Sequence, residues 1–181
     1  MLYEKTLALK DGRCLHLRNA IKEDAKDVCD LFQLTHAQTD FLLAYPEESS
    51  FTVRQEADFL NGLLESPREV MLLAEVDGAL AGCASVCAVG SKYKVCHRAD
   101  FGISVNKAFW NLGIGKALTQ AAIECAKTAQ YTYLELSVVA DNDRAVQLYQ
   151  KAGFREYGVH PQGFRSKYTG FQPLVLMGLD L

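Results

Sequence analysis

One local pattern constrains this chain more than any other: a strand-like segment, a short loop with two glycines, and an amphipathic helix. The loop spans residues 110–116 and reads WNLGIGK. Glycines at positions 113 and 115 let a ligand approach the backbone closely, because no side chain stands in the way. The free N–H groups at the start of the following helix favour a phosphate. The sequence therefore predicts an α/β fold with an anion-binding turn between a strand and a helix.

Two common phosphate loops do not fit this turn. A Rossmann fingerprint needs a third glycine or an alanine three residues after Gly115, where this chain has Leu118. A Walker A loop needs Ser or Thr after its lysine, and Lys116 is followed by Ala117. A nucleotide-binding protein of either kind is thus disfavoured. A pyrophosphate held by backbone amides is the expected ligand.

Hydrophobic periodicity and turn residues predict a sheet of seven strands with four helices. Strands are expected at residues 13–18, 70–76, 79–89, 97–105, 131–139, 154–159 and 174–179. Helices are expected to begin near residues 24, 52, 113 and 141, and their placement among the strands indicates one sheet of mixed direction. Residues 39–50 are expected to form an irregular loop, and residues 91–95 a hairpin tip.

Three short signals mark the ends of these elements. Thr52 and Gln55 match a capping box at the start of the second helix. The pair Asp77-Gly78 predicts a type I′ turn between two strands. Gly153 is expected to end the last helix in the left-handed conformation.

Length and charge exclude several classes of protein. The 181 residues carry a net charge of −3, fit a single domain over residues 1–181, and show no basic excess of the kind that binds nucleic acid. The apolar stretches, about eight residues long, are well short of the roughly 20 that span a bilayer. An early acid near the N-terminus disfavours a signal peptide. We therefore expect a cytoplasmic protein without a membrane or nucleic-acid partner. Its six cysteines lack zinc-site spacing, so no metal is expected.

A second informative block begins within the fifth predicted strand and continues into the following helix. Residues 135–154 read ELSVVADNDRAVQLYQKAGF. Together with the glycine loop, this block resembles the GNAT superfamily of acetyl-CoA-dependent N-acetyltransferases, whose loop is Gln/Arg-x-x-Gly-x-Gly/Ala. Trp110 departs from the first position of that loop, but contacts made by backbone amides should tolerate it. The resemblance covers essentially the whole chain. It implies a GNAT-like α/β fold of about seven mixed strands, splayed between the fourth (97–105) and the fifth (131–139), with about four flanking helices.

The resemblance also implies where acetyl-CoA, the cosubstrate, would bind. Its pyrophosphate would lie on the backbone amides of Leu112, Gly113, Ile114, Gly115, Lys116 and Ala117. Its pantetheine arm would pair, like an added strand, with the backbone of Ile103, Ser104 and Val105. Asn142 would bond the pantetheine or phosphate region, although an asparagine before a helix is equally an N-cap.

Acetyl transfer to an amine also needs an acid and a base. A protonated amine must lose a proton before it attacks the thioester, and the departing thiolate must gain one. The resemblance implies that Tyr149 is the acid, lying beside the thioester sulfur rather than packed against the sheet, the alternative being a core tyrosine. Asp100 and Glu135 are rival candidates for the base. Either one is also explained as a surface carboxylate, with ordered water taking the proton instead.

The acceptor is expected to meet the loop between the first two helices. Phe41, Tyr45, Glu47 and Glu48 combine aromatic rings and acids that suit a cationic amine, although a solvated loop explains them as well. The predicted function is transfer of the acetyl group to a primary amine of a small molecule or a protein N-terminus, by direct attack in a ternary complex. A non-catalytic acyl-CoA-binding sensor or interaction module is the alternative. The oligomeric state stays open, a homodimer included.

Overall fold

A computed structural model describes residues 1–48 and 51–181. Ser49 and Ser50, at the end of the predicted 39–50 loop, lie outside the described residues. The described chain forms a single eight-stranded sheet in the order β1-β2-β3-β4-β5-β6-β8-β7. The strands are β1 Glu4–Ala8, β2 Cys14–Asn19, β3 Val70–Val76, β4 Ala79–Ala88, β5 Arg98–Val105, β6 Tyr133–Val139, β7 Arg155–Ser166 and β8 Gly170–Asp180. The helices are α1 Ala25–Gln38, α2 Val53–Glu65, α3 Ile114–Thr128 and α4 Asp143–Ala152.

The predicted architecture is confirmed, with two differences at the ends of the chain. The sheet has an additional edge strand, β1, which pairs antiparallel with β2. Its short, half-exposed sequence EKTLA has too little apolar alternation to identify it. The last two strands are also longer than predicted. Register shifts between Glu156 and Gly158 and between His160 and Phe164 absorb the proline and glycine that suggested a loop.

The turn and cap signals form as expected from local sequence. The Thr52 hydroxyl accepts a hydrogen bond from the Gln55 amide, and the Gln55 side-chain oxygen accepts one from the Thr52 amide, which completes the capping box. Asp77 and Gly78 have φ angles of 52° and 79°, as a type I′ turn requires. Gly153 ends α4 with a φ of 103°. Residues 91–95 lie in the connection between the antiparallel strands β4 and β5, as the hairpin prediction requires.

Helices cover the two faces of the sheet in pairs. On one face, α1 and α2 enclose a small core that includes Val28, Leu60 and Leu73. On the other face, α3 packs on the central strands over a larger core that includes Phe101 and Leu134. Successive side chains of a strand point to opposite faces, so each central strand contributes to both layers.

The central strands β5 and β6 separate after a short parallel contact. They pair only through Arg98 with Tyr133, Ala99 with Leu134, and Asp100 with Glu135. Beyond that point β5 continues to pair with β4, while β6 continues to pair with β8. The sheet therefore opens between residues 101–105 and residues 136–139. This is the expected splay.

Candidate active site in the sheet opening

The glycine loop ends at the opening of the sheet and presents the N-terminus of α3. Gly113 precedes the helix with a φ of 99°, in the left-handed region, and no side chain caps the helix there. The first hydrogen bond of the helix runs from the Ala117 amide to the Gly113 carbonyl, at 3.0 Å. The amides of Ile114, Gly115 and Lys116 therefore have no helical acceptor. The prediction that the Ala117 amide also binds the phosphate is wrong, because that N–H is already used.

The space around this loop fits an anion held by backbone. A Cβ added at Gly113 would meet no heavy atom within 4 Å. At Gly115 a Cβ would contact only Leu148, at 3.4 Å. The loop is open in front of its free amides, and the Lys116 side chain is exposed beside them. These residues fit the pyrophosphate of acetyl-CoA.

Trp110 connects the glycine loop to the sheet, a role that the sequence did not predict. Its indole Nε1 donates a hydrogen bond to the Val105 carbonyl at 2.8 Å, and the Arg144 guanidinium lies 4.5 Å above its ring. The indole thus joins the end of β5, the glycine loop and the start of α4. The Val105 carbonyl, part of the backbone expected to pair with the pantetheine arm, thus already accepts one hydrogen bond. The tryptophan in place of the family's Gln or Arg was the signal for this role.

Tyr149 lies on the α3 and α4 side of the opening. Its ring is buried, and ring centroids lie 6.0 Å away at Phe101 and 5.9 Å away at Phe154. The expectation that it would stand clear of the sheet is wrong, because its ring packs edge-on against Phe101 of β5. Burial raises the pKa of its hydroxyl to about 12. Among the described residues, the buried side-chain oxygens without a hydrogen-bond partner belong to Tyr131 and Gln172, and the Tyr149 hydroxyl is not one of them.

The two candidate bases are cross-strand neighbours with different surroundings. Glu135 accepts two hydrogen bonds from the Arg98 guanidinium, at 2.9 and 2.7 Å. Asp100 forms no ion pair among the described residues, and it stands at the last paired position before the strands separate. Desolvation raises the pKa of its carboxyl, and the negative charge of Glu135 raises that pKa further. Asp100 is therefore the better suited of the two to accept a proton.

Strand alternation places these groups on opposite sides of the sheet. Phe101, which packs against Tyr149, belongs to the core beneath α3, so the adjacent Asp100 points to the α1 and α2 face. A group lying in the opening would have the carboxylate on one side and the phenol on the other.

The loop after α1 is held by the β7–β8 hairpin. The Tyr45 hydroxyl donates to Asp40 Oδ1 at 3.1 Å and accepts from the Lys167 amide at 2.7 Å. The Lys167 ammonium lies 4.0 Å from the centre of the Tyr45 ring and pairs with Glu47. Ser166 Oγ also donates to Asp40. Tyr45 and Glu47, expected to receive a cationic amine, thus already hold an internal cation.

Two further acceptor candidates on this loop differ in position. Phe41 is exposed, while Glu48 accepts a hydrogen bond from the Tyr45 amide and lines a cavity beneath α1 and α2. Among residues 1–48 and 51–181, no group of three or more metal-ligating side chains is positioned to hold a metal ion. The helices of this described part are all too short or too polar to cross a membrane.

Free amides at a helix start, placed beside a splayed pair of parallel strands, form a site that fits an acyl-CoA donor. Comparison with known proteins agrees, and the chain belongs to the acetyltransferase (GNAT) family, whose model matches residues 30–154. A crystal structure of a GNAT-family acetyltransferase from Streptococcus pneumoniae is 31% identical, with a TM-score of 0.89 over 92% of this chain and 99% of that one. The structure of yncA from Salmonella typhimurium with its cofactor acetyl-CoA is 18% identical, with a TM-score of 0.81 over 92% and 94% of the two chains.

A curated relative adds a named acceptor class. The L-amino acid N-acetyltransferase AaaT of Escherichia coli (strain K12) is 34% identical over 97 residues, which cover 53% of this chain and 59% of that protein. Membership of this family confirms the predicted enzyme class and, with it, acetyl-CoA as cosubstrate.

Proposed function

We propose that this chain transfers the acetyl group of acetyl-CoA to a primary amine by direct attack in a ternary complex. The observation that carries the proposal is the sheet opening, with Asp100 at its apex on one face and Tyr149 on the other. The acceptor is the amine of a small molecule or of a protein N-terminus. The amino-acid substrate in the name of the E. coli relative supports an amine acceptor.

The donor side is built from backbone groups. Acetyl-CoA supplies the thioester carbonyl and the leaving thiol. The free amides at the start of α3 hold the pyrophosphate, and the β5 backbone at Ile103 and Ser104 faces the opening, where β6 no longer pairs with it. Asn142 Oδ1 accepts the Ala145 amide at 3.3 Å as the cap of α4, so Asn142 offers a ligand its side-chain NH₂.

Asp100 is the proposed base. A primary amine with a pKa of about 10 arrives protonated near pH 7 and must lose that proton before it can attack. Asp100 is exposed, yet partial desolvation and the charge of Glu135 raise the pKa of its carboxyl, so that it holds a proton more readily than an ordinary aspartate. Glu135 serves instead to fix Arg98 and to raise the basicity of its neighbour.

Tyr149 is the proposed hydrogen-bond donor to the leaving sulfur. Its hydroxyl pKa of about 12 keeps the phenol protonated throughout the physiological range. A thiol resembling cysteine has a pKa of about 8.5, so full proton transfer from this phenol would be uphill by roughly 5 kcal/mol. The phenol therefore stabilises the developing thiolate by donating a hydrogen bond. The attacking nitrogen loses its second proton as the amide forms, that proton passes to the departing thiolate, and Tyr149 remains a phenol.

Turnover of acetyl-CoA against a panel of amines tests this function. Tyr149→Phe should lower kcat by about 10²- to 10⁴-fold and leave KM for acetyl-CoA nearly unchanged, because the ring packing is kept. Tyr131→Phe is the matched control, since Tyr131 is a buried tyrosine whose hydroxyl has no partner in the described chain. Full turnover by Tyr149→Phe would reduce Tyr149 to a core residue. Tight acetyl-CoA binding with no amine acetylated would instead favour an acyl-CoA-binding sensor.

A further inference from the structure

The cavity that Glu48 lines lies between the sheet and the helices α1 and α2. It has a volume of about 360 Å³, and most of its wall is apolar. Its apolar lining comes from α1, α2, β3 and the loop before α2: Val28, Phe32, Phe51, Phe59 and Met71. A cavity of this size and lining is typical of a small-molecule site.

One carboxylate is enclosed in this apolar wall. Glu56, in the first turn of α2, is only 7% exposed and lines the cavity. It shares the cavity wall with Cys29 of α1 and Cys83 of β4, and burial, followed by the charge of Glu56, raises the pKa of both thiols. Burial raises the pKa of Glu56 itself. Among the described residues it forms no salt bridge, in contrast to Glu135 and its arginine.

The helix dipole favours an acid in the first turn of α2, but that preference does not require the carboxylate to be buried, as Glu56 is. The start of α2 is already capped by Thr52 and Gln55, and the Glu56 amide donates to the Thr52 carbonyl at 2.9 Å. A carboxylate among phenylalanines is costly unless it meets a hydrogen-bond donor or a cation. A donor supplied from the cavity would remove that cost.

The cavity also reaches the proposed transfer site. Ser104 lines it and belongs to the β5 segment that faces the sheet opening. Its hydroxyl lies 3.4 Å from the Cys83 thiol on the neighbouring strand. An occupant of the cavity would therefore adjoin the strand along which the acyl donor is proposed to lie.

We propose that this cavity receives the non-reacting end of the acceptor, and that the acceptor is an amine whose apolar stem ends in a second cationic group. This inference rests on the proposed acetyltransferase function. The phenylalanine and methionine side chains contact the alkyl stem, and Glu56 accepts charge-assisted hydrogen bonds from the distal ammonium. The other amine leaves the cavity at Ser104 and is directed along β5 towards Asp100, which takes its proton. Alkyl diamines are the simplest members of this class.

The test compares two amines of equal length on three proteins. 1,5-Diaminopentane and 1-aminohexane have the same number of heavy atoms, but only the diamine carries a distal cation. The parent should prefer the diamine by about tenfold or more in kcat/KM. Glu56→Gln should lower kcat/KM for the diamine by roughly 10- to 100-fold and leave 1-aminohexane within about threefold. Asp58→Asn is the control, because it removes the same charge from an exposed position of the same helix.

Calorimetric binding of the diamine to the CoA-loaded protein separates this inference from the proposed function. Equal use of both amines by the parent, or an unchanged preference in Glu56→Gln, would overturn the inference while leaving acetyl transfer intact. Diamine binding that is lost in Glu56→Gln, with no amine acetylated, would support the inference and refute the proposed function. Should Glu56→Gln not fold, Glu56→Asp keeps the charge but withdraws it by one methylene. It should then show an intermediate preference, and a preference equal to that of the parent would overturn the inference.

Discussion

Replacing Gly113 by alanine tests whether the left-handed residue of the loop is needed to bind acetyl-CoA. At a φ of 99° an L-residue costs roughly 1–2 kcal/mol. The added Cβ meets no atom within 4 Å, so strain is the whole expected cost. Gly113→Ala should therefore lower the free energy of unfolding by about 1–2 kcal/mol, and Tm by roughly 2–8 °C.

The same strain sets the expected loss of affinity. If the alanine loop relaxes out of the left-handed region, binding must restore the original conformation. In that case the strain is absent from the free protein and reappears on binding, so the affinity for acetyl-CoA should fall by about 5- to 30-fold, the factor that corresponds to 1–2 kcal/mol, in place of the loss of stability. Gly115→Ala adds the same atom two residues later, where its Cβ makes an ordinary contact of 3.4 Å with Leu148. Alanine favours the helix there, so this variant should gain up to about 1 kcal/mol and keep its affinity within a few-fold.

Scanning calorimetry measures the two stabilities, and titration calorimetry measures acetyl-CoA binding. The reasoning fails if Gly113→Ala keeps both the stability and the acetyl-CoA affinity of the parent, because the strain must appear in one of the two. It fails equally if Gly115→Ala loses more affinity than Gly113→Ala, because the phosphate would then lie over other amides.

Three further predictions concern the base, the loop anchor and the acceptor loop. The raised pKa of Asp100 should place the acidic limb of the pH profile of kcat/KM above the ordinary aspartate range. Asp100→Asn should abolish that limb, whereas Glu135→Gln should retain it. The same raised pKa means that ionised Asp100 destabilises the fold, so Asp100→Asn should raise Tm at pH 7. Below the unfolded pKa of about 3.9 the variant and the parent should melt at the same temperature, which paired melting curves at the two pH values would show. Trp110→Phe leaves the Val105 carbonyl without its donor and should cost about 0.5–1.5 kcal/mol in urea unfolding, with weaker acetyl-CoA binding by titration. Lys167→Ala removes an exposed ion pair and should change stability by less than about 1 kcal/mol, while kinetics should show a changed KM for the amine and an unchanged KM for acetyl-CoA.

Local sequence was sufficient for the features whose partners lie within a few residues. The capping box at Thr52, the type I′ turn at Asp77, and the left-handed glycines at positions 113 and 153 depend on backbone geometry and neighbouring side chains. The alternation of apolar residues likewise located seven of the eight strands. β1 escaped because an edge strand with one half-buried face carries little alternation.

The surroundings of the charged residues at and near the candidate site depend on contacts between distant parts of the chain. Glu135 pairs with an arginine 37 residues away, and Lys167 reaches Glu47 across 120 residues. Glu56 looks like an ordinary acid in a first helical turn, and only the packing of α2 over the sheet buries it. The sequence by itself determined most strands and helices, the glycine turn before α3 and the family motifs, since each is encoded in neighbouring residues. Only the tertiary structure decided which carboxylates are neutralised, desolvated or free, because the energy of a charge depends on what surrounds it in space.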